Sequence, residues 1–528
     1  MLAPGIWMCL AVGLLQLFTP RGLWEQRVSR LGPWLTFLGI LSPWWWPGGD
    51  GSAVAGGWWV ATAWWLGFGW TARLEEDLRG ETCKRQGEMS LAVSGLLLAA
   101  EASDWLMLFF AVELVRRATF AGADLARAAR IFRSSIPGDG ADQSRVAVSR
   151  ITERDWQLIC PLILCLSLVA WVVVAGSNSL VEWRAVLERV GFDDSTGQAT
   201  GRPSLVLTAA SLLTVIGVCC PVFWSWNLTG TLRSTSPFEE RLGQLLAREL
   251  VAIVVLQRLL AGGVAGLTAT WLVGLLVMTG TVWCLAGRQL LSQQRFDRGV
   301  AGLLLFQWGS LLLWLCAGLA TPTESSRTGD LVASLDLGHG FYVGVLHFVG
   351  ISAGVAAGLR GIALPRDQAW YWEQFRGLGR PHPGKCLMFI LPCLSAIGLP
   401  GCAGFWLRGL WLLSLLGLNQ VGGNSSLQPQ FGVWLLTLVG MLLLTLAAGC
   451  ILRLVQLLWL EAEFGDDRPL QRWWPRLVSW AVTACVLTWG LVPQLTVWPG
   501  WTKPASSPSQ VSALDELIEL ESQVVSGE

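Results

Sequence analysis

The chain has 528 residues, 53% of them hydrophobic and 14% charged, with a mean hydropathy of +0.51. A soluble chain this long divides into several domains with charged skins, and about a quarter of its residues carry charge. Here 37 cations and 37 anions are too few for that, which leaves a polytopic membrane protein. The zero net charge argues against a nucleic-acid partner.

A hydrocarbon layer about 30 Å thick needs roughly 20 apolar helical residues. In chain order the candidate spans are 3–19, 31–47, 53–72, 89–103, 104–123, 157–177, 204–226, 243–262, 264–286, 300–319, 338–359, 386–415, 432–462 and 477–497. The first has no basic segment before it and reads as a retained span, not a cleaved signal. The fourth and fifth are parted only by Glu101 to Asp104. The runs are too long for barrel strands and do not alternate. The expected class is an all-α polytopic membrane protein with about 14 transmembrane helices.

Sidedness follows from Lys and Arg. The odd-numbered loops hold 26 of them; the even-numbered loops and the C-terminal tail hold 5, namely Arg184, Arg189, Arg202, Arg327 and Lys503. This places the odd loops in the cytoplasm and both termini on the outer side. Trp is abundant at 33 residues against 2 Tyr. Trp44 to Trp46 and Trp58-Trp59 suit interfacial anchoring, whereas Trp64-Trp65 falls in mid-span. The 13 Cys lie mostly in apolar segments without a CxxC pair, and the three His are His339, His347 and His382. Buried thiols acting as small hydrophobes are the default. Past Lys503 the tail is acidic, and Leu514 to Leu520 reads either as a solvated tail or as a short amphipathic helix that touches a neighbour.

An ionisable group inside a span is costly and marks function by default. Glu113 lies in the fifth span with Arg116 and Arg117 at i+3 and i+4, so the three share one helix face. Such a trio is either a self-neutralising cluster or a proton site tuned by its cations. Arg248, Glu249 and Arg258 lie in the eighth span, Gln307 in the tenth, His347 in the eleventh, Arg408 in the twelfth and Arg453 in the thirteenth. Adjacent residues point different ways on a helix, so Arg248 and Glu249 each need another partner. A lone His such as His347 is more often a hydrogen-bonded core residue. Gly398 to Gly404 (GLPGCAG) precedes Arg408 and either breaks the helix in mid-membrane or packs small residues closely.

The stretch Phe375 to Trp411, FRGLGRPHPGKCLMFILPCLSAIGLPGCAGFWLRGLW, resembles a hallmark of subunit N of proton-translocating NADH:quinone oxidoreductase, complex I. Ala102 to Phe120 (ASDWLMLFFAVELVRRATF), Gly287 to Leu313 and Val486 to Trp498 resemble further segments of that family in the same order. More distantly the chain is similar to Mrp-type antiporter subunits. The resemblance covers roughly 89–498. It implies an antiporter-like fold with helices broken near Pro221 and Pro400. Residues 1–88 then form the first three spans, 89–498 the proton-translocation core and 499–528 an acidic tail.

By the same resemblance a proton path would run through Glu113, Glu249, Gln307 and Arg408, with Arg116, Arg117 and Arg248 as charge partners. Glu113 takes the place of the family's fifth-helix glutamate and Arg408 that of its twelfth-helix lysine. Glu249 falls at or beside the eighth-helix lysine, Gln307 at the tenth-helix histidine, and Ile216 at the seventh-helix lysine. The three lysines, Lys84, Lys385 and Lys503, all lie outside the apolar runs. The resemblance implies a membrane-arm subunit in a bacterial plasma membrane, within the bilayer and against other membrane-arm subunits, taking part in proton translocation coupled to quinone reduction. A non-pumping scaffold and a stand-alone cation/proton antiporter are the alternatives. The chain shows no Gly-rich dinucleotide fingerprint and no cluster-type Cys spacing. NADH, flavin, iron–sulfur and quinone sites are therefore expected on partner subunits, with no cofactor in this chain.

Overall fold

In this computed structural model the described residues are 4–18, short pieces between 27 and 39, 82–133, most of 159–182, 205–229, 238–260, 268–291, 295–320, 337–362, 371–409 and 427–460, with 484. The expected spans 53–72 and 477–497, much of 31–47, the Trp44 to Trp46 cluster and the acidic tail lie outside them.

The described residues are nearly all helical, without a named strand. In chain order the helices are α1 (Pro4–Phe18), α2 (Thr82–Glu101), α3 (Trp105–Arg133), α4 (Ile159–Val174), α5 (Leu205–Thr229), α6 (Phe238–Leu260), α7 (Thr268–Leu290), α8 (Phe296–Ala320), α9 (Leu337–Ile362), α10 (Pro383–Ile397), α11 (403–409) and α12 (Leu427–Trp459). Among the described residues three stretches are long and apolar enough to cross a membrane by length and composition: Thr270–Leu290, Phe296–Cys316 and Thr437–Trp459.

The break expected between the fourth and fifth spans is present. Asp104 caps α3, its Oδ1 accepting from the Met107 amide at 3.4 Å, as a carboxylate at a helix start does. The Trp105 amide donates to the Asn178 carbonyl at 3.1 Å, and the Leu180 amide to that of Ser103 at 3.0 Å, so this corner is braced by the end of the α4 segment.

The break expected near Pro221 is absent: α5 runs unbroken from Leu205 to Thr229. Proline removes one amide donor, but its fixed φ is helical, and a helix braced by neighbours carries one missing bond. The brace is α4. Ser167 and Thr214 share a hydrogen bond, Trp171 Nε1 donates to Thr214 Oγ1 at 3.0 Å, and a Cβ at Gly217 would meet the Leu164 backbone at 3.1 Å.

The centre of the structure is α6. It packs against α2, α3, α5, α8 and α9, and every residue from Leu245 to Leu256 is buried. α8 is equally enclosed, with every residue from Gly299 to Cys316 buried. α6 carries Arg248 and Glu249, charges that a lipid-facing helix holds only at great cost; enclosure by five helices accounts for their placement.

At one end of the molecule, residues 371–380 close over the C-terminus of α12. The last four carbonyls of a helix lack partners within it. Here the Gly377 amide donates to the Leu457 carbonyl and the Gly379 amide to that of Leu458, both at 2.9 Å; Arg380 Nε donates to that of Trp459 at 3.3 Å. Trp372 and Phe375 are buried against Phe296, with ring centroids 5.1 and 4.1 Å away. A Cβ at Gly379 would lie 2.7 Å from the Trp459 ring and 2.8 Å from the Leu458 carbonyl. Gly379→Ala is therefore expected to destabilise by roughly 1–3 kcal/mol through overpacking, read as a lowered thermal midpoint of the detergent-solubilised protein; an unchanged midpoint would contradict this docking.

Candidate functional site

Two polar groups occupy the interior, and α6 packs against the helices of both. The first stands on α3. Glu113 receives two hydrogen bonds from Arg116, Nε at 2.8 Å and Nη2 at 2.5 Å, and a third from Arg117 Nε at 2.7 Å. Helical spacing dictates this cluster, as expected. Arg117 points outward and is exposed, whereas Glu113 and Arg116 are half-buried.

One turn further along α3, Thr119 receives Arg248. The guanidinium donates to Thr119 Oγ1 at 2.9 Å and to its carbonyl at 3.3 Å. Arg248 therefore serves here as a tie between α6 and α3. Glu249 faces elsewhere and is 1% exposed. Its carbonyl accepts from Trp308 Nε1 at 3.4 Å, which links α6 to α8. Arg258 reaches the Ala102 carbonyl at 3.2 Å.

The second group is built around a helix break, and here the expectation from the Gly/Pro run holds. α10 ends at Ile397, and Gly398 takes the left-handed conformation with φ 82. The Gly398 amide donates to the Ser395 carbonyl at 3.0 Å and the Leu399 amide to that of Leu394 at 3.1 Å. This paired closure satisfies two of the freed carbonyls, and a residue without Cβ suits the position. The next carbonyl, Ala396, takes Arg408 Nη2 at 3.1 Å and also Gln307 Nε2. Arg408 Nη1 donates to Ser310 Oγ at 2.9 Å, and its guanidinium lies 4.7 Å from the centre of the Phe306 ring. The carbonyl end of a helix carries partial negative charge, so the arginine past the break neutralises the end that the break creates.

His347 of α9 joins the same group. Its Nε2 and the Ser395 hydroxyl share a 2.8 Å hydrogen bond, and the Gly404 amide donates to that hydroxyl at 3.1 Å. Gln307, Ser310, His347, Gly404 and Arg408 line a cavity of about 20 Å³, on the scale of one water molecule. The chemical capacity is specific. Arg408 keeps its proton throughout the physiological range and acts as a fixed charge. Gln307 orients neighbours without titrating. The imidazole, the hydroxyls and a water in the cavity are groups that pass protons.

The structure therefore brings Gln307 and Arg408 together, joins Glu113 to Arg116 and Arg117, and sets Arg248 and Glu249 on α6 in contact with both sides. His347 is a core histidine with a hydrogen bond, as its isolation suggests, yet it belongs to the cavity. Thr119, Ser310 and Ser395 carry no sequence signal beyond position: Ser310 lies one turn after Gln307, and Ser395 three residues before Gly398.

No protein-family model matches the chain, and no curated protein matches it by sequence. Solved structures do. A chain of respiratory complex I from Thermus thermophilus with bound aureothin is similar at a TM-score of 0.64 and 19% identity, over 94% of this chain and 98% of that one. A chain of the Mrp complex from a Dietzia species is similar at 0.66 and 13%, over 93% and 95%. A chain of the membrane-bound sulfane sulfur reductase, an archaeal respiratory membrane complex, is similar at 0.66 and 12%, over 93% of both. The fold is that of chains from these membrane complexes. The antiporter-like fold class expected from the complex I and Mrp resemblance is met at that level.

The geometry makes a prediction about the break. Ser310→Ala removes a hydrogen bond to a charged group and is expected to cost about 1.5–3 kcal/mol, read by thermal unfolding in detergent. Combined with Arg408→Gln the losses are expected to fall short of additive by roughly 0.5–3 kcal/mol, since both remove one interaction. Strict additivity would place Arg408 elsewhere.

Proposed function

We propose that this chain is an antiporter-like membrane-arm subunit of a respiratory NADH:quinone oxidoreductase, in the place of subunit N, and that it takes part in proton translocation. The observation that carries the reading is a series of polar side chains on neighbouring helices: half-buried Glu113 and buried Thr119 on α3, buried Arg248 and Glu249 on α6, buried Gln307 on α8 and half-buried Arg408 beyond the broken end of α10. Burying a carboxylate and several guanidiniums is expensive even when they are paired, so their presence marks function. The fold likeness to a chain of respiratory complex I supports the same reading. On it, NADH, flavin, iron–sulfur and quinone sites belong to partner subunits, the membrane is a bacterial plasma membrane, and both termini lie on its outer side.

In this scheme Glu113 is the carboxylate that gains and loses a proton. When it is protonated, the attraction that holds Arg116 and Arg117 is lost and their charge acts on the neighbouring helices. Arg248, on the far side of Thr119, carries the electrostatic change to α6. Arg408 is the fixed cation at the other end, and His347 with the small cavity supplies a titratable group beside it.

A second reading is favoured by a specific observation. Arg408 and Gln307 do not exchange protons in the physiological range and are locked onto the Ala396 carbonyl, which fits a scaffold that keeps the architecture without pumping. The likeness to a chain of the Mrp complex fits a cation/proton antiporter. Glu113→Gln separates the first two. It is expected to reduce NADH-driven proton uptake into membrane vesicles severalfold while the complex still assembles; unchanged uptake would leave the scaffold. Purification in mild detergent is expected to bring down other oxidoreductase subunits, and recovery of a lone monomer would overturn both complex-based readings.

A further inference from the structure

The turn Trp372–Phe375 and the last three turns of α12 wall a groove of about 470 Å³, lined among others by Trp372, Arg376, Gly449, Leu452, Arg453 and Gln456. We propose that this groove binds the phosphate head group of an anionic glycerophospholipid, with an acyl chain running back along α12.

The argument starts from Arg453. It stands on Thr437–Trp459, a stretch of mean hydropathy 2.3. Its neighbour Leu452 is 64% exposed, and Arg453 is itself exposed. Among the described residues Arg453 has no ion-pair partner; it lies over the Trp372 ring, 5.9 Å from the centroid. An arginine on the bilayer side of an apolar helix needs an anion or an escape to the surface. It stands six residues before Trp459, about 9 Å along the axis, which is head-group depth when Trp459 marks the membrane surface. Trp372 beside it is the residue type that sits at that level.

The groove is graded along its length. Gly449, Leu452, Arg453 and Gln456 follow one another at helical spacing on one face of α12. Open space lies where a Cβ of Gly449 would be, so the bilayer end is a smooth channel for a chain. The cations Arg453 and Arg376 come next, and the amide of Gln456 lies outermost. Glu373 supplies one carboxylate to the lining, so the groove keeps a net positive charge; its acceptor oxygens suit the hydroxyls of a glycerol head group. Arg380 and Arg298 add cations at the same end, and Arg380 holds the Trp459 carbonyl. Asp297 is engaged by Arg295 at 2.5 Å. Clusters of this kind between helices on the cytoplasmic side bind anionic lipid heads. On the sidedness proposed above the acidic tail lies across the membrane and is not the occupant.

The test uses the full chain in nanodiscs of mixed phosphatidylglycerol and phosphatidylethanolamine, with retained lipid measured by native mass spectrometry. Arg376→Gln with Arg453→Gln is expected to lower the preference for phosphatidylglycerol about thirtyfold, at an unchanged thermal midpoint. Gly449→Leu, which fills the channel and keeps both cations, is expected to lower retention as well. Equal retention in both variants would overturn the proposal. Displacement of the lipid by millimolar inorganic phosphate would identify a free-anion site and overturn the lipid assignment. Displacement by an acidic segment of another subunit would identify a protein interface and do the same. None of these measurements involves proton uptake, so failure here is distinct from failure of the function proposed above.

Discussion

A carbonyl or a charge inside a membrane-embedded bundle must find its partner in the protein, because neither lipid nor bulk water supplies one. That constraint organises this molecule. Where α10 stops at Ile397, its last carbonyls come free in the interior, and three of them are met: two by the amides of Gly398 and Leu399, the third by Arg408 and Gln307. The arginine in turn brings Ser310 and Phe306 into register, and the first turn past the break places Gly404 on the Ser395 hydroxyl that His347 also uses. The polar cavity is thus a consequence of ending a helix where there is no solvent. The same rule shapes the C-terminal end of α12, whose last carbonyls are met by Gly377, Gly379 and Arg380.

The second organising feature is α6. A helix with Arg248 and Glu249 in its middle is a poor membrane helix by composition, yet it is among the most enclosed by position. Five neighbouring helices remove it from lipid, so its charges meet protein groups: Arg248 meets Thr119 of α3, and the Glu249 peptide meets Trp308 of α8. One helix thereby connects the carboxylate cluster to the broken helix. Such a connection offers a physical route for influence between them, whether it is carried by protons or by shifts in charge.

Much of the fold is legible along the chain. The apolar runs predict helices over 89–103, 104–123, 204–226 and 243–262, and the structure places helices there. The Glu113–Arg116–Arg117 cluster follows from i+3 and i+4 spacing alone. The break before Arg408 follows from two glycines around a proline, where both the donor and the steric preference for helix are lost. Pro221 misleads because one proline between helix-forming neighbours removes a single hydrogen bond, and α4 packs against Gly217 and Thr214 of the helix, which continues to Thr229. A count of spans cannot register such a brace.

The sequence by itself determined which segments avoid water, which residues share a helix face and where a helix cannot continue. These are properties of neighbours along the chain, set by 3.6-residue periodicity and by the covalent limits of glycine and proline. Only the tertiary structure decided the rest: that Arg248 serves Thr119, that Arg408 and Gln307 converge on one carbonyl of a helix 89 residues from Gln307 in sequence, that an isolated histidine faces their cavity, and that Arg453 opens onto a groove beside Trp372. The physical reason is the same in each case. A buried polar group takes whichever partner the packing of distant helices brings within about 3 Å, and no pattern along one helix specifies which helix that will be.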